Sequence, residues 1–313
     1  MLVQESTDTH LILNTPAKVN LFLEVLNKRP DGYHTINSLF VAVSLFDTLK
    51  FARTDSSGIS LTVSSDELLP TGGENLVVRS WEMMCERFGL SGGLSVKLSK
   101  RIPIAAGLAG GSSDASATTL ACNHLFKLGL SYEQMAKISA EIGSDCPFFF
   151  STGCSSVGGR GEIIEPCEIP IDFWLVLVKP AVAVSTATAY GQLGRGLTNY
   201  KPPFKLPSCR TVEDLAKALA LTGNDFEPVQ FSAHRELIAI RDRLIGSGAL
   251  LTRMSGSGPT MFGLFREEPD EQKFADFKRG NWQLHTVRPI SLLGVHQKTG
   301  GNRGDNRSKG NLT

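Results

Sequence analysis

Pro103-Ile104-Ala105-Ala106-Gly107-Leu108-Ala109-Gly110-Gly111-Ser112-Ser113 is a run of small residues that leads straight into a helical pattern. Ala117, Leu120, Ala121, His124, Leu125 and Leu128 recur on one helical face, and Gly129 is expected to stop that helix. Glycine lets backbone N–H groups approach an anion closely because no Cβ intervenes. A helix start adds unpaired N–H groups and the positive end of a dipole. Ser112 and Ser113 place hydroxyls at the same point, within reach of phosphate or its magnesium. On composition alone the stretch reads equally well as a phosphate cradle or as a loop capped by Ser113 or Asp114. It is neither a G-x-x-x-x-G-K-[ST] loop nor a strand followed by G-x-G-x-x-G.

On either side of this run, strand-like and helix-like segments are mixed. Leu11 to Leu13, Val19 to Leu26, Ser38 to Phe51, Ile59 to Val63 and Leu94 to Leu98 read as strands, with Asp31-Gly32 as a turn. Asn75 to Phe88 reads as a helix ended by Gly89. Ser131-Tyr132-Glu133-Gln134 matches a capping box for a further helix that runs to about Gly143. Cys154 to Gly161 is a small-residue segment and the expected domain seam. Phe173 to Val178 is a buried strand, Val212 to Leu221 and His234 to Ile245 are helices, and Met254-Ser255-Gly256-Ser257-Gly258 leads into a strand over Thr260 to Phe265. Without a strict strand–helix alternation, the chain reads as α+β rather than a doubly wound sheet. The expected division is a first domain over 1–160 and a second over 161–296. The Gly-, Asn-, Lys- and Arg-rich 297–313 is expected to be a disordered tail.

The 313 residues suffice for about two domains of roughly 150 residues each. Hydrophobic residues make up 41% and charged ones 20%, which argues against wholesale disorder. A net charge of +1 gives no general field for nucleic acid or for a membrane surface, so neither is expected as a partner. Six cysteines form no C-x-x-C pair, and six histidines form no H-E-x-x-H. The N-terminus lacks the pattern of a signal peptide and no apolar run is long enough to span a bilayer, so the expected location is the cytoplasm. Oligomeric state, monomer or homodimer, stays open.

Two charged residues stand out. Lys18 lies in the apolar strand Pro16-Ala17-Lys18-Val19-Asn20-Leu21, where it is either an edge-strand lysine or a cation awaiting an anion. Asp145 lies in Gly143-Ser144-Asp145-Cys146-Pro147, as a turn or cap residue or as a carboxylate that takes the proton of an attacking hydroxyl. Asp31-Gly32-Tyr33-His34 is either a bare hairpin or a ring and an imidazole presented to a base.

In wording and order, these segments resemble the GHMP kinases, named for galactokinase, homoserine kinase, mevalonate kinase and phosphomevalonate kinase. The match runs from about Leu13 to about residue 293 and includes Glu74-Asn75-Leu76. The Pro-Ala-Lys segment followed by Asp-Gly-Tyr-His resembles the branch whose acceptor is a cytidine diphosphate-linked methylerythritol. The resemblance implies a ribosomal-S5-like N-terminal domain and a ferredoxin-like C-terminal domain, with ATP and a small-molecule acceptor meeting between them. It implies Lys18 and Asp145 as the catalytic pair and Pro103 to Ser113 around the ATP phosphates. Asn75, Leu76 and Lys100 would surround the adenine. Asn20 would contact the acceptor, Tyr33 and His34 would hold its cytosine, Tyr190 would close the other face of that ring, and Thr186 would lie near the diphosphate. Magnesium is expected with ATP, with no protein ligand identifiable. A kinase for another small alcohol and a catalytically silent sensor of the same fold are the alternatives. The chain departs from the family pattern at Ala106 and Ala109, where many members have glycine and which the loop tolerates if neither needs a positive φ, and at Asp114, whose role stays open.

Overall fold

The computed structural model describes residues 1–193, 202–280 and 282–292. Two sheets carry the architecture. The first has seven strands: β1 (Leu2–Ser6), β2 (His10–Lys28), β3 (His34–Thr54), β4 (Gly58–Ser64), β5 (Gly93–Ser99), β6 (Cys154–Gly158) and β7 (Ile163–Pro166). Their order is β1-β2-β3-β5-β4, with β6 pairing β3 beside it and β7 outside β6. The second sheet has the order β11-β8-β10-β9, from β8 (Trp174–Lys179), β9 (Leu251–Met254), β10 (Met261–Phe265) and β11 (Gln283–Val287), all antiparallel. Helices α1 (Leu76–Phe88), α2 (Gly110–Leu125) and α3 (Tyr132–Ser139) accompany the first sheet. Helices α4 (Thr186–Gln192), α5 (Val212–Leu219), α6 (Glu227–Ala233) and α7 (Arg235–Gly246) follow in the second half.

Side chains alternate across a strand, so β2 and β3 can feed two cores at once. Val19, Leu21, Val41 and Val43 share a core with Leu175 and Leu177 of β8 and Phe262 and Leu264 of β10. The opposite face presents Lys18, Asn20, Phe40 and Ala42, all buried. Phe40 and Ala42 belong to the other core, with Ala117 and Ala121 of α2 and Phe148. The long central strands thus join the two halves, and the polar pair Lys18 and Asn20 faces the α2 side.

Several elements differ from the sequence reading. The strands expected at 11–13 and 19–26 are one strand, β2. Pro16, which lacks an N–H, is accommodated where the β2–β3 register shifts between Pro16 and Ala17. The N-terminal residues form β1, antiparallel to β2. Gly110 to Ser113, expected in the loop, are the first turn of α2. That helix ends at Leu125, capped by Phe126 rather than stopped by Gly129. The capping box at Ser131 forms, but α3 ends at Ser139. The expected seam at Cys154 to Gly161 is instead β6 and the turn into β7, so the chain stays in the first sheet to Pro166, past the expected boundary at 160. β6 is held by its pairing with β3, a long-range contact that composition does not reveal. The expected tail, 297–313, lies outside the described residues.

Phe148 follows Asp145 in a short 3-10 turn over Cys146–Phe150 and meets Phe40 edge to face, with centroids 5.5 Å apart. Phe40 in turn lies beneath the Lys18 ammonium, 4.3 Å from its centroid. Phe148→Ala would leave a cavity under both. It should cost about 3–5 kcal/mol, read as a fall in the denaturant midpoint at constant slope; a loss under 1 kcal/mol would mean the site is not seated on this core.

Candidate active site

A cavity of about 950 Å³ opens where the first turn of α2 faces β2, the Asp31 to His34 turn and α4. Its end at the start of α2 is built by the small-residue run from Pro103 to Ser112. Ala109 is the residue before α2 and adopts φ 55°, ψ 29°. Ala105 also has a positive φ, of 48°. The condition set for Ala109, that it should not need a positive φ, therefore fails, and the loop carries two left-handed alanines that cost of order 1–2 kcal/mol each. Ala106 shows no positive φ. Glycine is required elsewhere. A Cβ on Gly107 would lie 2.1 Å from the Ser255 carbonyl oxygen, and one on Gly110 would lie 2.6 Å from Lys100 Nζ. Both positions are pressed against other parts of the chain, so the backbone can come forward only without side chains.

The expected nucleotide residues are only partly gathered at the cavity. Pro103, Ile104, Ala105, Ala106 and Gly107 line it. So do Ala109, Gly110, Gly111, Ser112, Leu76 and Lys100. Leu108 is buried in the core, and its carbonyl accepts a hydrogen bond from Lys18 N at 3.0 Å. The Ser113 hydroxyl is buried without a hydrogen-bond partner. Asn75, expected beside adenine, caps α1: its Oδ1 accepts from Val77 N at 2.9 Å and its Nδ2 donates to Pro70 O. Lys100 reaches the wall, yet its ammonium is paired with Asp47 and, at 3.1 Å, with Asp114.

That buried cluster resolves what Asp114 does. Its carboxylate turns away from the cavity and accepts from Thr15 Oγ1 at 2.9 Å as well as from Lys100. Asp47 accepts from the backbone N–H groups of Arg101 and Ile102 at 2.6 and 2.8 Å. One ammonium serves two carboxylates, so one negative charge is in surplus. Burial pushes the Asp114 carboxyl up to about 7, with Lys100 opposing and Asp47 assisting the rise. Burial works against the Lys100 ammonium, but Asp114 and Asp47 hold it above its usual value.

The catalytic candidates meet. Lys18 Nζ lies 3.4 Å from Asp145 Oδ2 and donates to Asn20 Oδ1 at 2.5 Å. Asn20 is fixed in turn by donating from Nδ2 to Ser38 Oγ at 3.0 Å. Burial lowers the Lys18 pKa, and Asp145 offsets part of that effect. The Asp145 side chain stays 31% exposed, open to the cavity. One partner of this close pair is buried and the other is accessible, the arrangement a proton acceptor beside a fixed lysine needs.

At the other end the aromatic residues sit differently from the expectation. Tyr190 stacks directly on His34, with centroids 5.3 Å apart and planes 20° from parallel. That is one stacking spacing, not the two that a ring between them would need. The Tyr33 ring is exposed, with the Arg160 guanidinium 5.0 Å from its centroid. Burial, then Lys28, lowers the His34 pKa, which favours a neutral imidazole. Burial, then Asp145, pushes the Tyr190 phenol up to about 12. Thr186 shares a 3.0 Å hydrogen bond with Ser257. Sequence reasoning missed Arg160, Asp47 and the run Gly223 to Glu227. Asp47 carried a signal, since a lone carboxylate in the apolar strand 38–51 needs a partner.

The model of the GHMP kinases N terminal domain matches residues 75–153, and that of the GHMP kinases C terminal domain matches residues 206–280. With the glycine-flanked helix start and the Lys18–Asp145 pair in one cavity, they define a small-molecule kinase of the GHMP class, which uses ATP. A 4-diphosphocytidyl-2-C-methyl-D-erythritol kinase of Bacillus cereus (strain AH187) is 38% identical over 288 residues, covering 92% of this chain and 98% of its own. One from Geobacillus thermodenitrificans (strain NG80-2) is 37% identical over 284 residues, covering 91% and 97%. The crystal structure of a 4-(cytidine 5'-diphospho)-2C-methyl-D-erythritol kinase aligns with TM-score 0.72 at 31% identity, covering 88% of this chain and 99% of that one. Homoserine kinase from Cytophaga hutchinsonii, at 19% identity and TM-score 0.69, shares the fold. The chain belongs to the 4-diphosphocytidyl-2-C-methyl-D-erythritol kinase family of GHMP kinases. Among the described residues no helix is long and apolar enough to cross a membrane.

The buried charge cluster predicts a pH dependence. The folded chain keeps the Asp114 proton up to about 7, whereas an unfolded chain releases it near about 3.9. The native state therefore binds more protons across that window, and stability falls as pH rises through it. Asp114→Asn removes this loss. Its melting temperature relative to the parent should climb between about pH 4 and 7 and level off above; a flat difference would contradict the assignment.

Proposed function

We propose that the chain transfers the γ-phosphoryl of ATP to the 2-hydroxyl of 4-diphosphocytidyl-2-C-methyl-D-erythritol, a step of non-mevalonate isoprenoid precursor biosynthesis. The observation that carries this reading is the Lys18–Asp145 pair, 3.4 Å apart in a cavity bounded at one end by the first turn of α2 and at the other by Tyr33, His34 and Tyr190.

Asp145 receives the acceptor hydroxyl, orients it and takes its proton. Lys18, held by Asn20, stabilises the charge that spreads over the transferring phosphoryl group. Such transfer depends on positioning and electrostatics, so no covalent enzyme intermediate is required. Backbone N–H groups at the start of α2 serve the phosphates. Among the described residues no group of three or more His, Cys, Asp or Glu could hold a metal ion, and Asp114 is engaged behind the helix. Ser112, on the cavity wall, would offer its hydroxyl to a magnesium ion that arrives with the nucleotide, whereas the Ser113 hydroxyl is buried outside the cavity lining. That ion would neutralise phosphate charge. Tyr33 offers the stacking face for cytosine, and the neutral His34 imidazole offers it a hydrogen bond once the His34–Tyr190 stack opens.

In Asp145→Asn, ADP release with the cytidylyl substrate should fall about 10²–10⁴-fold, the range for loss of a positioned base. Near-normal turnover by folded enzyme would remove Asp145 from that role. Tyr33→Ala should raise KM for the cytidylyl substrate about 5- to 150-fold, the equivalent of losing about 1–3 kcal/mol of stacking on a base. KM for ATP serves as the internal control, and a panel with homoserine and mevalonate tests the choice of acceptor.

A further inference from the structure

Gly223-Asn224-Asp225-Phe226-Glu227 grips two distant parts of the chain at once. On one side it holds β2. Leu23 N donates to Gly223 O and Asp225 N to Leu23 O, both at 3.0 Å, and Val25 N donates to Asp225 Oδ2 at 2.7 Å. On the other side it holds the turn after β9. Asn224 Nδ2 donates to Met254 O at 2.7 Å and to Gly256 O at 2.8 Å, and Met254 N donates to Glu227 Oε1 at 2.7 Å. Asn224 is 3% exposed, and its Oδ1 accepts from Phe226 N at 3.0 Å.

From these contacts we infer that Asn224 is a positioning residue for phosphoryl transfer: its carboxamide sets the turn at 254–256, and that turn registers the catalytic strand on the phosphate loop. The connection runs through Ser255, whose Oγ accepts from Asn20 N at 3.2 Å and donates to Gly107 O at 3.0 Å. Asn20 is the residue whose side chain receives the Lys18 ammonium. One hydroxyl therefore ties the strand that carries Lys18 to the glycine loop, and Asn224 fixes the backbone on both sides of that hydroxyl. Only a carboxamide fits the position. It supplies two donors to two carbonyl oxygens and one acceptor to an N–H. A carboxylate would face the two carbonyls with no hydrogen to offer, and an aliphatic side chain would leave three buried polar groups unpaired.

The inference rests on the kinase reading, so its test includes a measurement that needs no turnover. In Asn224→Asp, amide exchange at Asn20 should quicken about tenfold, since its hydrogen bond depends on the turn. With ATP and the cytidylyl substrate, kcat per folded molecule should fall about tenfold or more while both KM values stay within about twofold, the pattern for an interaction realised in the transition state. Ser255→Ala should show the same split, and the double variant should lose little more than the worse single one, because both act through one turn. If Asn224→Asp does not fold, Ser255→Ala carries the same two readings alone. Wild-type kcat in the folded variants, a loss confined to KM, multiplicative losses in the double variant, or unchanged exchange at Asn20 would each overturn the assignment.

Discussion

A strand with an uncovered edge must find partners for its outward N–H groups, because a buried unpaired donor is costly. β2 meets this constraint in the middle of the molecule. Its partner β1 covers the outer edge only to the pair of Leu2 with Asn14. Beyond that point the outward N–H groups of Lys18, Asn20, Leu23 and Val25 go to four different acceptors: Leu108 O, Ser255 Oγ, Gly223 O and Asp225 Oδ2. The loop before α2, the turn after β9 and the 223–227 segment all dock on this one edge. The edge that would otherwise invite another strand is the surface on which the site is assembled. Lys18 and Asn20 gain fixed positions because their backbones are paired on both sides.

Charge is distributed with respect to the same strand. Lys18 stands on the cavity side with Asp145 before it, while Lys100, Asp47 and Asp114 form a second cluster behind the first turn of α2. A carboxylate at a helix start can compete with an anionic ligand for the same N–H groups. Asp114 avoids this by bonding to Thr15 and Lys100, so the first turn keeps its N–H groups for the cavity side. The cost is a crowded buried cluster, and the raised Asp114 pKa reports it.

The sequence showed the local features well. The capping box at Ser131, the stop of α1 at Gly89, the alternation in β3 and β5, and the small-residue run before Asp114 were all readable, because each depends on residues near one another in the chain. The meeting of Lys18 with Asp145 was readable only through a family resemblance, since each residue has an ordinary reading by itself. What escaped was set by contacts distant in sequence. Lys100 does line the cavity, but Asp47 and Asp114, 53 and 14 residues away, claim its ammonium. Asn224 gave no signal, because an asparagine before Asp-Phe-Glu is ordinary turn chemistry until its carbonyl partners at 254 and 256 are known.

The aromatic end of the cavity connects to the same framework. Tyr190 stacks on His34 but also meets Phe226 edge to face at 4.9 Å, and Phe226 N is held by Asn224 Oδ1. If a base is to be gripped between rings, Tyr190 must leave His34 while Phe226, held by its hydrogen bond and buried at 1% exposure, keeps its place. The contact to break is then one offset stack worth about 0.5–1.5 kcal/mol beyond its burial, and stacking on an incoming base returns about as much or more. Opening is therefore nearly neutral at the aromatic end, whereas the end at the start of α2 is built without slack. Glycines at 107 and 110 sit where a single Cβ would collide, and Ala109 holds a left-handed backbone. An aromatic end that can open, joined to a rigid loop at the start of α2, lets a ligand enter and leave at one end of the cavity while the other end keeps its shape.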